Sequence, residues 1–280
     1  MIRYSVLGSG SCGNSYAFYD GTDSILVDCG FSLKELRRRL DEACIPFDSV
    51  RALFLTHLHP DHGCGSGVFA RKTGLPVIMS QKAYETETTV CAKLNIPPAS
   101  LVTVEPGEIV EFGPFSLSGF CTTHDSAGSM GWSIHVDGHG FMILTDSGSF
   151  DDTMVEFAQH AEVLFLEANY DEQMLRTGPY PYYLQKRIAG NWGHLSNDQA
   201  FSFLERCRII ESVEIAEGSD EQSLFVSERL EDYNSRKVYF IHLSKQNNDP
   251  ELVVREARRY VWNCGFTVCE RGRAYIGELA

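Results

Sequence analysis

The chain has 280 residues, 43% of them hydrophobic and 22% charged, which suits a folded globular protein with a large core and excludes a disordered or fibrous chain. Its net charge of −14 argues against a broad nucleic-acid-binding face, although bound divalent cations would make one pocket locally positive. Nine cysteines, odd in number and irregular in spacing, read as reduced thiols, and neither a signal peptide nor the roughly eighteen apolar residues of a membrane span is apparent, so a cytoplasmic protein with no membrane partner is expected.

In chain order, "IRYSVLG" and "SILVDCG" read as strands ending in glycine loops. "FSLKELRRRLDEACI" reads as a helix, with Ser32 as N-cap, Glu35 completing a capping box, and Leu33, Leu36 and Leu40 on one face. "VRALFLT" and "GLPVIMS" are buried strands, and "AYETETTVCAKL" predicts one helix stopped by Pro97 and Pro98. Residues 101–145 predict antiparallel strands, with "VDGHGF" as a hairpin turn. "EVLFLEA" is a strand, helices are expected across 181–189 and 196–210, "KVYFIHLS" is a strand, a helix lies near 250–261, and "FTVCE" is the last strand. The pattern predicts two mixed sheets flanked by helices. Residues 211–235, rich in Glu and Asp, read as a solvated acidic insertion. Cys264 and Cys269 read as buried inert thiols, and His135, His139 and His160 as structural or surface residues.

"FLTHLHPDHG" crowds His57, His59, Asp61 and His62 just past a strand, and such groups ligate metal rather than improve packing. His124, Asp146 and His242 each follow another apolar strand, "LSGFCTTH", "FMILTD" and "KVYFIH", so their side chains are expected to meet at one edge of the fold. Together they would hold two divalent ions, zinc or manganese, with Asp146 as the bridge. Asp28, at the end of "SILVD", is read as an acceptor that orients a histidine ligand.

"THLHPDH" matches the HxHxDH signature of the metallo-β-lactamase fold, and His124, Asp146 and His242 fall in the order of its later ligands. "SGSCGNSYAF", "VDCGFS", "THDSAG", "LEANYDEQMLRTGPYPYYLQKRI", "GHLSND" and "HLSKQNNDPEL" together resemble the YycJ/WalJ subfamily of that fold. The resemblance covers nearly the whole chain apart from 211–235. It implies a single αββα-sandwich domain over 1–280 and a two-metal phosphodiesterase acting as a 5′-to-3′ exonuclease on double-stranded DNA. Carried over by position, His57, His59 and His124 would bind one ion, Asp61, His62 and His242 the other, and Asp146 would lie between. Leu58 and Pro60 depart from the polar residues expected inside the motif, and their side chains should point away from the metals.

A metal-bridging hydroxide is the expected nucleophile, with Asp61 orienting it or taking its proton, and His194 contacting the phosphate or protonating the leaving oxygen. "LGSGSCGN" offers a tight turn near the rim, with Asn14 as a candidate substrate contact. Lys186 and Arg187 are candidate phosphate contacts, and Tyr182 or Tyr183 either stacks a terminal base or packs in the core. The competing readings are an RNA nuclease, a lactone or thioester hydrolase on the same fold, and a metal-binding scaffold without activity.

Overall fold

The computed structural model describes residues 1–212 and 236–280. Of the expected insertion, 213–235 lie outside the described residues, whereas Glu211 and Ser212 end a short strand. The strands are β1 (Ile2–Gly8), β2 (Ser15–Tyr19), β3 (Ser24–Val27), β4 (Val50–Phe54), β5 (Val77–Ser80), β6 (Leu101–Val104), β7 (Ile109–Phe112), β8 (Phe115–Cys121), β9 (Met130–Val136), β10 (His139–Leu144), β11 (Val163–Glu167), β12 (Ile210–Ser212), β13 (Lys237–Ile241), β14 (Tyr260–Trp262), β15 (Gly265–Val268) and β16 (Tyr275–Leu279).

One sheet runs β16-β1-β2-β3-β4-β5-β6 and the other β15-β13-β11-β10-β9-β8-β7. Each is antiparallel in one half and parallel in the other: β3 to β6 are parallel in the first, and β10, β11, β13 and β15 in the second. The parallel strands are nearly continuous apolar runs because both of their faces are covered. Tyr4, Phe18, Phe54, Trp132, Phe141 and Phe165 meet between the sheets. Leu36, Leu40 and Phe69 pack the helices α1 (Leu33–Glu42) and α3 (Ser66–Thr73) against the first sheet's outer face, and the short α2 (Pro60–Gly63) precedes α3. The chain is thus an α/β protein of αββα form, two mixed sheets flanked by helices, as expected.

Local competition in one place and tertiary contact in others altered the expected elements. Ser32 Oγ accepts from Glu35 N at 3.3 Å, but the capping box is incomplete because the Glu35 carboxylate instead pairs with Arg38 and Arg39 at 2.7 and 2.8 Å. The expected helix through "AYETETTVCAKL" is two, α4 (Gln81–Thr86) and α5 (Thr88–Leu94), broken at Glu87. The Glu87 carboxylate accepts from Ser126 Oγ at 2.6 Å and Ala127 N at 2.7 Å, and its backbone turns to reach them. After α6 (Asp152–Gln159), α7 (Glu172–Thr177) and α8 (Tyr182–Ile188), the helix expected over 196–210 ends at Arg206 as α9 (Asn197–Arg206). Ile210 then starts β12, which pairs with β14 just after α10 (Pro250–Ala257). "FTVCE" is not the last strand either: β16 follows and pairs with β1, Ile2 opposite Leu279. The hairpin turn falls where expected, Asp137 and Gly138 both having positive φ, 49° and 83°. Cys264 and Cys269 are buried and free. Among the described residues, no helix is long and apolar enough to cross a membrane.

Candidate metal centre

The ends of the parallel strands of both sheets converge on one edge. Asp28 follows β3, the His57–His62 segment follows β4, Asp146 lies just past β10, Glu167 ends β11 and His242 follows β13. Asp28, Asp146 and His242 each adopt left-handed backbone conformations, with φ of 60°, 53° and 56°. For residues other than glycine this is strained, and such strain persists where packing dictates it, commonly at functional sites. Pro60 occupies the first position of α2, where a missing N–H costs nothing, and is exposed, and Leu58 is buried in the outer core, so neither departure from the motif lines the centre's cavity. The loop carrying Asn14 docks against α2 through Asn14 N to Asp61 O at 2.7 Å. Gly30 is required in the same place, since a Cβ there would meet Asp61 O at 1.8 Å.

Each imidazole is held from behind by an oxygen. His62 Nδ1 donates to Asp28 Oδ2 at 2.7 Å, His124 Nδ1 to the Gly193 carbonyl at 2.9 Å, and His242 Nδ1 to Glu167 Oε1 at 2.9 Å. Thr56 Oγ1 donates to Asp28 Oδ2 at 2.9 Å and therefore accepts from His57 Nδ1 at 3.0 Å. These bonds orient the rings and turn the Nε2 atoms inward, the position from which an imidazole that has given up its proton ligates a cation. His59 is turned the other way: Nε2 faces Asp125 Oδ1 at 3.5 Å, and Nδ1 faces His124 Nε2 at 3.2 Å.

Asp146 stands among them, Oδ2 at 3.2 Å from His62 Nε2 and Oδ1 at 3.7 Å from His124 Nε2. Asp61 Oδ2 lies 3.5 Å from His242 Nε2 and 3.8 Å from His62 Nε2. Burial pushes the Asp146 carboxyl up, but His242 and His62 override it and hold the group well below the usual carboxylate range. His242 behaves inversely: burial lowers its pKa, and Asp146, Asp61 and Glu167 raise it well above normal. His62 is likewise raised to about 10, burial being outweighed by Asp146 and Asp28. His57, buried beside His62, is driven well below the ordinary histidine range.

The residues present fit divalent cations. His57 Nε2 and His242 Nε2 are buried without a hydrogen-bond partner, a costly state for a polar nitrogen that a bound cation, displacing any proton, would relieve. The 3.2 Å between His59 Nδ1 and His124 Nε2 is close to the edge of a zinc–imidazole tetrahedron, about 3.4 Å for bonds of about 2.05 Å. Ligand atoms of His57, His59 and His124 lie within 4.8 Å of one another, as do those of Asp61, His62 and His242, and those of His57, His62 and Asp146.

Residues 23–215 match the beta-lactamase superfamily domain. The chain belongs to the metallo-β-lactamase superfamily. It is a metallo-hydrolase of that superfamily, similar to exodeoxyribonuclease WalJ of Streptococcus pneumoniae (30% identity, covering 90% of this chain and 85% of the relative). Exodeoxyribonuclease YycJ of Bacillus anthracis is also 30% identical, covering 96% of this chain and 92% of the relative. Two solved structures share the fold: YhfI of Bacillus subtilis, with a TM-score of 0.67, 19% identity and 99% of both chains covered, and human short-form tRNase Z, with a TM-score of 0.60, 15% identity and 98% of both chains covered.

In this member of the metallo-β-lactamase superfamily the centre opens into a cavity of about 240 Å³, whose wall includes Arg187, His194, Tyr180 and Ser11. His194 Nδ1 donates to Glu167 Oε1 at 2.8 Å, which leaves Nε2 for the cavity; burial lowers its pKa, but Glu167 raises it above normal. Arg187 is ion-paired with Asp125 on the rim. Lys186 does not line this cavity; its ammonium sits 4.8 Å over the Tyr182 ring beside a separate hollow. The expectation for Asn14 fails. It is fully buried, its Oδ1 accepts from Gly10 N at 2.7 Å and its Nδ2 lies 2.9 Å from His62 Nε2, so it braces the centre instead of facing a substrate. Sequence reasoning missed Glu167, which also accepts from Ser147 N at 3.1 Å and Leu195 N at 3.2 Å. Its position at the end of "EVLFLE" repeats the strand-end pattern of the other site residues and could have flagged it. Asp125, next to His124, was missed as well.

Proposed function

We propose that this chain is a 5′-to-3′ exonuclease acting on double-stranded DNA in the cytoplasm, using two divalent cations, zinc or manganese. The observation that carries the reading is the convergence of inward-facing imidazole and carboxylate donors on a narrow cavity, in a chain similar to two proteins named as exodeoxyribonucleases. His57, His59 and His124 would hold one cation, Asp61, His62 and His242 the other, and Asp146 would lie between. Such a pair supplies an acidified water and screens the charge of a phosphodiester.

The protein's own groups do the rest. Asp28, Thr56, Gly193 and Glu167 keep the imidazoles aimed inward. Asp61 is held at about 2, its burial outweighed by His242 and His62, so it stays ionised and orients a water better than it keeps a proton. His194 is the donor: with Nδ1 on Glu167 and a raised pKa, its Nε2–H is available to the phosphate or to the leaving sugar oxygen. Arg187 reaches a non-bridging phosphate oxygen from the rim, steadied by Asp125.

The test offers 5′-phosphorylated, end-labelled duplex DNA, the matching RNA and a chromogenic lactam to protein stripped with chelator and reloaded with Mn²⁺ or Zn²⁺. Nucleotides released progressively from the 5′ end of the duplex, with two ions bound per chain, are the expected result. Turnover of the RNA or the lactam with the duplex intact overturns the reading.

A further inference from the structure

Three large aromatics stand out of the surface within eleven residues of one another: Tyr182, Tyr183 and Trp192 are 69%, 74% and 64% exposed. Burial of such rings normally stabilises a protein, so their clustering at the surface needs a reason. Tyr183 and Trp192 each adjoin a residue of the metal cavity's wall, whereas Tyr182 lines the separate hollow beside Lys186. Leu184, Arg187 and Ile188 of α8 line the metal cavity, and Tyr183 shares a helical stripe with Arg187, one turn on. Trp192 sits in the turn closed by Gly193 N to Gly190 O at 2.8 Å. The next residue, Gly193, holds His124 through its carbonyl, and the one after is His194. Gly193 cannot carry a side chain, because a Cβ would lie 2.1 Å from Ile188 O, so the turn is pressed onto the end of α8 and Trp192 cannot drift far from the rim.

We propose that Tyr183 and Trp192 are base-stacking positions for the DNA strand whose terminal phosphodiester enters the cavity, an inference that rests on the nuclease reading. Two features favour a nucleic acid as occupant over a second copy of this chain. Tyr183 and Trp192 directly adjoin the cavity-lining residues Leu184 and Gly193, and α8 carries two cations, Lys186 and Arg187 (the latter paired with Asp125 across the rim), and no carboxylate, in a protein of net charge −14, so this helix is a locally basic element that suits a phosphate backbone. Planar rings accept any base, which suits an exonuclease that must take successive bases in turn. Stacking would hold the first base unpaired from its complement and deliver the adjoining phosphate to Arg187 and His194.

The experiment compares the wild type with Tyr183→Ala, Trp192→Ala and the double variant, on a 5′-phosphorylated duplex and on the same duplex with an abasic residue at its 5′ end. KM should rise about tenfold for each aromatic lost, the scale of one stacked base, with kcat within about twofold and the melting temperature unchanged. The abasic residue should raise the wild-type KM to a similar degree and add little to that of the double variant, since ring and base act as one pair. Tyr183→Phe, which keeps the ring, should behave as wild type. If the wild type cleaves the duplex but the variants match it in KM, or the abasic residue affects both alike, the stacking positions are overturned while the nuclease reading stands. If the wild type cleaves no DNA, both fall together. If sedimentation shows a wild-type dimer that these substitutions dissociate, the patch is a protein interface and the inference fails.

Discussion

His62 donates through Nδ1 to Asp28 at 2.7 Å with both side chains fully buried, and Thr56 donates to the same carboxylate, so one anion sets the orientation of two neighbouring imidazoles. Acceptors behind metal-binding histidines tune affinity without touching the ion. Asp28→Ala should therefore weaken metal binding about 10- to 100-fold. Competition with a chromophoric chelator checks this, with circular dichroism to confirm the fold. Asp28→Asn, which keeps one acceptor oxygen, should lose less.

His194 is assigned proton donation and phosphate contact, not ligation. His194→Ala should lower kcat on duplex DNA about 10²- to 10⁴-fold while the protein keeps its full metal content. Elemental analysis of the purified variant decides the matter, and loss of an ion would make His194 a ligand instead.

Chelation should destabilise the protein. Ions bound a thousandfold above their dissociation constant add about 4 kcal/mol. In a chain of this length that corresponds to a fall of roughly 10 °C in melting temperature on adding excess chelator. The fall should be largely absent from Asp146→Ala, whose carboxylate faces both groups of imidazoles.

The metal-free protein should lose stability as pH rises. His62, at about 10, and His242 have folded pKa values above the ordinary 6.5, so their ion pairs with Asp146 contribute fully below about 6.5 and fade as pH climbs through the raised values. His57 is shifted downward and is neutral throughout that upper range, so it does not offset the trend. Melting temperature with chelator present should fall between pH 7 and 10. Metal affinity should rise over the same interval, because each ion displaces protons from those imidazoles. A flat chelated profile from pH 7 to 10 would contradict the proposed charge pairing.

Much of this centre was legible because its chemistry is local. His57 to His62 lie within one loop and the first turn of α2, where residue type and spacing alone bring the donors together. His124, Asp146 and His242 were legible because each ends an apolar run, and strand ends in a layered α/β protein gather at one edge. Glu167 was overlooked because a carboxylate after a strand is ordinary until something is seen to face it, and its partners His194 and His242 are 27 and 75 residues away. The break at Glu87 escaped notice for the same reason, its acceptors' partners lying 39 and 40 residues on.

The amino-acid sequence by itself determined which side chains can bind a cation, the apolar runs that become parallel strands, and the loop that crowds the first ligands. Only the tertiary structure decided which nitrogen of each imidazole faces inward, that Asn14 is a buried brace and not a rim contact, and that Tyr183 stands in solvent instead of in the core. The physical reason is that residue type sets what a group can bond, whereas hydrogen-bond direction and exposure depend on which distant backbone the paired sheets bring alongside it.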